Sequence, residues 1–147
     1  MIKIKFFSSL LIIAFLSCNV AEKKKKIIPQ DRLKNYVDRF NENDNELYKQ
    51  FISNDESFDF LNKNIPMIDL PNKEIEETYY FRWWTYRKHI KNTDDGFVIT
   101  EFLPIVNWSG KHNTINCPAA HHIYEGRWLR NPKFISEYIN FWLENSG

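Results

Sequence analysis

Residues 73–91 read KEIEETYYFRWWTYRKHIK, and this stretch decides the fold class. Ile75, Tyr79, Trp83, Tyr86 and Ile90 step by four, four, three and four, which puts an apolar, mostly aromatic stripe on one helical face. Tyr80, Phe81 and Trp84 widen that surface, so the helix is expected to be buried on more than one side. Glu74, Glu76 and Glu77 in the first turn and Arg87, Lys88 and Lys91 in the last complement the helix dipole.

Working outward, helical signals dominate. Asp31 reads as an N-cap, and Leu33, Tyr36, Val37 and Phe40 keep helical spacing before the Asn- and Asp-rich run at 41–45 interrupts it. A second short helix is predicted around Phe58 to Leu61, and Pro66 and Pro71 punctuate the loop after it. Downstream, Asp94-Asp95-Gly96 signals a turn, and residues 97–103 are β-prone up to Pro104. A polar loop at 105–114 carries Trp108. Pro118 suits a helix start, with Asn116 or Cys117 near the cap, and that helix is predicted to reach Leu129. Asn131-Pro132 restarts another, with Phe134, Ile135, Tyr138, Ile139, Phe141, Trp142 and Leu143 as its apolar set. The fold class is therefore mainly α with one short extended segment.

Composition narrows the function. The 147 residues carry 20 Lys and Arg against 19 Asp and Glu, a net charge of +1, so there is no basic field to attract nucleic acid. Hydrophobic residues reach 43% and aromatic ones 16%, with only 4 Gly, which suits a packed domain and not a disordered chain. With 2 Cys there is no multi-bridge disulfide framework.

The N-terminus reads as an address. Residues 1–18, MIKIKFFSSLLIIAFLSC, combine Lys3 and Lys5 with an apolar run shorter than the ~20 residues a spanning helix needs. The ending Phe15-Leu16-Ser17-Cys18 resembles a bacterial lipobox. That resemblance implies a signal peptide at 1–17, acylation of Cys18 and an exported, lipid-anchored protein, with the outer membrane favoured. Cleavage near Ser17 without lipidation is the alternative. Residues 18–30, which include Lys23 to Lys26, read as a solvated tether or a contact for anionic head groups. Residues 31–147 form the folded part.

The stretches YYFRWWTYRKHI, DGFVITEFLP and NWSGKHNTINCPAAHHIYEGRWLRNP together resemble the six-hairpin, (α/α)6-barrel glycoside hydrolases related to mannosylglycerate hydrolase and trehalase, families 63 and 37. The resemblance implies a partial (α/α)6 toroid. A complete set of twelve helices needs on the order of 200 residues, so residues 31–147 are expected to be its N-terminal part. It also implies hydrolysis of an O-glycosyl bond with inversion and without a cofactor. Such enzymes use an acid and a base about 6.5–9.5 Å apart. In that superfamily both lie further along the chain, so no catalytic residue is assigned. The rival reading is a small carbohydrate-binding lipoprotein of the cell surface.

Six residues are candidate sugar contacts. Arg82 and Trp84 are expected to line a cleft, while Trp83, on the stripe, is expected in the core. Trp108 sits in a polar loop with His112 and Asn113, and Asn116 follows; a flat ring suits a sugar's apolar face, and the others offer hydrogen bonds to hydroxyls. His112, Cys117, His121 and His122 lack the spacing of a zinc site, so no metal is expected. Cys117 near a helix start is read as a packed residue in preference to a nucleophile paired with His121. Glu101 is expected to pair with Arg82 or Arg127, and Glu125, Arg127 and Trp128 to share a helix face.

Overall fold

The computed structural model describes residues 30–145, so the signal-peptide and tether readings, Cys18 included, lie outside the described residues. In chain order the elements are α1 (Gln30–Glu42), α2 (Asn54–Asn64), α3 (Lys73–Lys88), β1 (Ile90–Thr93), β2 (Gly96–Ile99), α4 (Ala119–Gly126) and α5 (Lys133–Asn145). The chain is mainly helical. α1 packs against both α2 and α3, β1 and β2 form an antiparallel hairpin, and α5 packs on β2 and α4.

Helix α1 already includes Asp31 in its first turn, so Asp31 is not its cap. It buries Leu33, Tyr36, Val37 and Phe40, the four residues in helical register. At its end Asn41 ties three helices together. Its Nδ2 donates to the Asn54 carbonyl at 2.9 Å, and its Oδ1 accepts from Trp84 Nε1 at 2.8 Å. Helix α2 is longer than its apolar residues suggest. Glu56 reaches back to accept from the Ser53 amide at 3.0 Å and hydroxyl at 2.9 Å, which caps the helix a full turn before Phe58.

In α3 the expected stripe is buried at Trp83 and Tyr86 and widened by buried Tyr80 and Trp84, but its first residue, Ile75, is exposed and Glu76 is buried in its place. Three charged residues, Glu76, Arg87 and Lys88, are buried in this helix, and an apolar count alone treats them as surface. Glu76 is fully buried because it accepts from the Leu70 amide at 2.7 Å, Lys73 at 3.0 Å, and Tyr36 and Arg32 at 3.2 Å each. Arg87 donates to Gln50 at 2.7 Å, to the Ile52 carbonyl at 2.6 Å and to Asn54. Glu76 is saturated in this way, which makes its buried charge tolerable, whereas Arg87 is bonded through its two terminal nitrogens and its buried Nε has no hydrogen-bond partner.

The helix also stops sooner than predicted. His89 caps it, and Ile90 pairs with Ile99 as the first residue of a strand. The ladder runs to Thr93 opposite Gly96, whose φ of +94° is the conformation the tight turn requires. Phe97 then meets Phe134 of α5 at 4.8 Å, and Phe134 meets Phe60 of α2 at 5.8 Å, so one aromatic chain joins hairpin, α5 and α2. Helix α4 ends at Gly126 and not at Leu129. A Cβ there would lie 2.2 Å from both Ile135 Cδ1 and the Tyr86 hydroxyl, so the close approach of α3 and α5 demands glycine. Among the described residues no helix is long and apolar enough to cross a membrane.

Candidate functional site

Between β2 and α4 runs a long loop, 100–118, whose shape hangs on one buried side chain. Asn113 Oδ1 accepts from the Val106 amide at 2.9 Å and the Ser109 hydroxyl at 2.6 Å. Its Nδ2 donates to the carbonyls of Phe102 at 2.9 Å and Pro104 at 2.8 Å. Two donors and two acceptor sites exhaust the amide. Asn113 sits at φ +57°, a left-handed conformation that Asn tolerates better than most residues. Below it, Thr100 donates to the Asn113 carbonyl, and Thr114 to the Ile99 carbonyl at 2.6 Å. The loop is therefore anchored to the end of β2, and Asn113 has no capacity left for a sugar hydroxyl.

The loop's outer groups are differently disposed. Trp108 is 63% exposed, with only an edge contact to Phe102 at 4.8 Å. His112 Nε2 meets Asp95 of the hairpin turn at 2.5 Å, and Lys111 reaches the same carboxylate at 3.0 Å. These hydrogen bonds, that of His112 first, hold Asp95 below the ordinary carboxylate range. The His112 ring lies 5.6 Å from Phe141, so it fastens the loop to the hairpin turn and to α5. Asn116 and Cys117 are exposed at the loop's exit.

The other two candidates lie elsewhere. Arg82 projects from α3 to Glu125 of α4 at 2.5 Å, an ion pair at the surface. Trp84 is 4% exposed. Phe81 stacks on it at 5.6 Å, and Lys88 and Arg87 lie 4.6 and 4.9 Å from its ring. It presents no open face, and only its margin borders a groove between α1 and α3. The six candidates thus fall into three places, and the loop holds four of them, Trp108, His112, Asn113 and Asn116.

One pairing was not legible from spacing. Glu101 does not bond Arg82 or Arg127. Arg127 instead stacks on Tyr124 at 3.7 Å and lies 5.0 Å from the Trp128 ring. Glu101 faces His122 Nδ1 at 3.5 Å, and that nitrogen is also 3.3 Å from the Tyr138 hydroxyl. Both Glu101 oxygens are buried without a hydrogen bond of normal geometry. Burial raises the Glu101 pKa, with the Glu101 and Ile115 amides opposing. Burial, then the charges of His89, Arg82 and His121, push His122 down to about 4. At neutral pH the imidazole is uncharged beside an underbonded carboxyl group. Tyr124 of α4 is 65% exposed and Trp128, just beyond the helix and therefore not on one helical face with Glu125, is 57% exposed. Among the described residues no group of three or more His, Cys, Asp or Glu side chains is placed to hold a metal ion.

No family model and no curated protein matches the chain. Among solved structures it is similar to a chain titled "Sialidase", with 40% sequence identity and a TM-score of 0.76. The match covers 82% of this chain and 11% of that one, so this chain spans about a ninth of the neighbour's length. A sialidase is a glycoside hydrolase, and the likeness is both of fold and of sequence to one segment of such an enzyme.

Proposed function

We propose that this chain is a segment of a carbohydrate-active protein, a glycoside hydrolase of O-glycosyl bonds, and that it supplies sugar-contacting surface. The observation that carries this is 40% identity over 82% of the chain to a segment of a sialidase. The 100–118 loop supports it: a saturated amide hub holds a rigid frame, and Trp108 stands out from that frame with its ring in solvent. In the finer reading the helices are the first hairpins of an (α/α)6 toroid. The reaction inverts the anomeric centre, and the acid and base lie outside residues 31–147. The protein is exported and held by a lipid on Cys18, with the outer membrane as its site.

A binding module without hydrolysis is the second reading, favoured by the exposed rings of Trp108, Tyr124 and Trp128. One experiment separates the two. The purified chain is screened against a glycan array and against chromogenic glycosides. Binding that depends on Trp108, with no turnover, fits both a segment and a module. Turnover that reappears only when the chain is joined to the remainder of a longer enzyme selects the segment. Turnover by the chain alone overturns the outside placement of acid and base, and no binding to any glycan overturns the carbohydrate reading. Labelling with radioactive palmitate, lost in Cys18→Ser, tests the anchor.

A further inference from the structure

The groove between α1 and α3 has a volume near 620 Å³, within the roughly 300–1,000 Å³ typical of small-molecule sites. Its floor is aromatic. Phe81 is parallel to Trp84 within 20° and meets Phe40 edge-on at 5.1 Å, and Phe81 alone of the three is substantially exposed, at 45%. Its rim is polar and mostly anionic, since Asp44, Glu74 and Glu77 line it against the single guanidinium of Arg39. Arg39 is itself neutralised by Glu77 at 2.9 Å, and Asp44 by Lys88 at 2.7 Å. Glu74 is exposed on the first turn of α3.

An aromatic floor with carboxylate walls is complementary to one kind of ligand. A pyranose offers an apolar C–H face to stack on Phe81, and equatorial hydroxyls that donate to carboxylates. With Glu77 and Asp44 paired to Arg39 and Lys88, Glu74 leaves the rim one negative charge in excess, which disfavours a ligand with a negative charge of its own. We infer that the α1–α3 groove is a subsite for an uncharged saccharide, with Phe81 as the stacking ring and Glu77 and Glu74 as hydroxyl acceptors, and that it rejects acidic sugars. This rests on the carbohydrate reading above and adds the charge class of the sugar. The groove lies on a different pair of helices from the 100–118 loop, so it extends the surface that a chain of sugars would contact.

The indole N–H of Trp84, bonded to Asn41 at 2.8 Å, is a built-in reporter. The 15N-labelled chain is titrated with lactose and cellobiose, and in parallel with N-acetylneuraminic acid, while the Trp84 and Trp108 indole signals are followed. The neutral sugars are expected to shift the Trp84 signal saturably in the millimolar range, and the acidic sugar to leave it in place. Phe81→Ala is expected to weaken the response at least tenfold. Glu77→Gln, which keeps the side-chain shape, is expected to weaken it several-fold, and Ile105→Ala, far more exposed at 90%, to leave it unchanged. No shift with neutral sugars overturns the inference, as does an equal response to the acidic one. A shift at Trp108 alone overturns this subsite while the carbohydrate reading stands, and silence at both signals removes both.

Discussion

The two halves of the molecule bury charge in opposite ways. In the α1–α3 half, Glu76 is saturated by Arg32, Tyr36, Lys73 and the Leu70 amide, and Arg87 donates through its two terminal nitrogens to Gln50, Ile52 and Asn54 with only Nε unbonded. In the half built from the hairpin, the 100–118 loop, α4 and α5, the deep polar groups are neutral (Thr100, Ser109, Asn113 and Thr114), and the Glu101 carboxyl group has a long approach to His122 and no hydrogen bond of normal geometry. A saturated charge is a structural rivet, whereas an underbonded one is expensive for a fold to keep. The difference separates a scaffold from the surface it carries.

The comparison breaks most severely at Glu76. Glu76→Ala strands the Leu70 amide and the Tyr36 hydroxyl and leaves Arg32 and Lys73 facing a vacancy. A loss of about 3 kcal/mol is expected, read from urea unfolding. On the opposite half, Asn113→Ala removes four bonds at once but keeps the strained φ. The expected loss is about 2 kcal/mol, confined to the loop. Hydrogen exchange checks this: amides at 102–114 should exchange faster while those of α1 and α3 keep their protection. Uniform loss of protection would mean that the loop and the scaffold are one cooperative unit.

Acid sharpens the same contrast, because the two halves respond in different pH windows. The folded pKa of His122, about 4, is below the ordinary imidazole value of about 6.5. The unfolded chain therefore binds a proton that the native one refuses, and stability falls as pH drops from about 6.5 to about 4. His89 is lowered by burial and acts in the same sense. Glu101 is raised and acts in the opposite sense, since the native state takes up its proton first. In the scaffold half Asp69 is held at about 2 by Lys73 and Arg32, so its contribution is present above about pH 4 and is lost only as pH falls toward 2. The urea midpoint is expected to decline between pH 7 and 5. His122→Gln should flatten that decline, and a profile unchanged by the substitution would assign the loss to other groups.

How much of this was legible in the sequence depends on what each feature needs from the rest of the chain. α1, α5 and the Asp94-Asp95-Gly96 turn were readable because their signals are local. The start of α2 was also local, in Ser53-x-x-Glu56, but an apolar count passes over it. β1 was not readable: Lys91 and Asn92 are polar, and Ile90 extends a helical stripe equally well, so only pairing with β2 decides. The exchange of Ile75 for Glu76 at the buried start of α3 requires Arg32 and Tyr36 from another helix. In the site, the exposure of Trp108 agrees with its polar surroundings. The role of Asn113 was hidden because its partners are four to eleven residues away, at spacings that no repeat enforces. Glu101 and His122 meet only because the whole loop folds back.

The smallest expected effect on stability falls where the functional effect should be largest. Trp108 touches Phe102 by an edge and is otherwise in solvent, so Trp108→Ala should change stability by less than about 0.5 kcal/mol. Trp84→Ala, by contrast, deletes a ring packed against Phe40, Phe81, Lys88 and Arg87, and breaks the bond to Asn41. It should cost about 3 kcal/mol. If Trp108 is a sugar-stacking ring, its removal abolishes glycan binding in a protein that unfolds at the same urea concentration as the parent. A ring kept for packing would show the reverse, with a lowered midpoint and unaltered binding. Measuring both quantities on both variants distinguishes a residue that the fold needs from one that the fold presents.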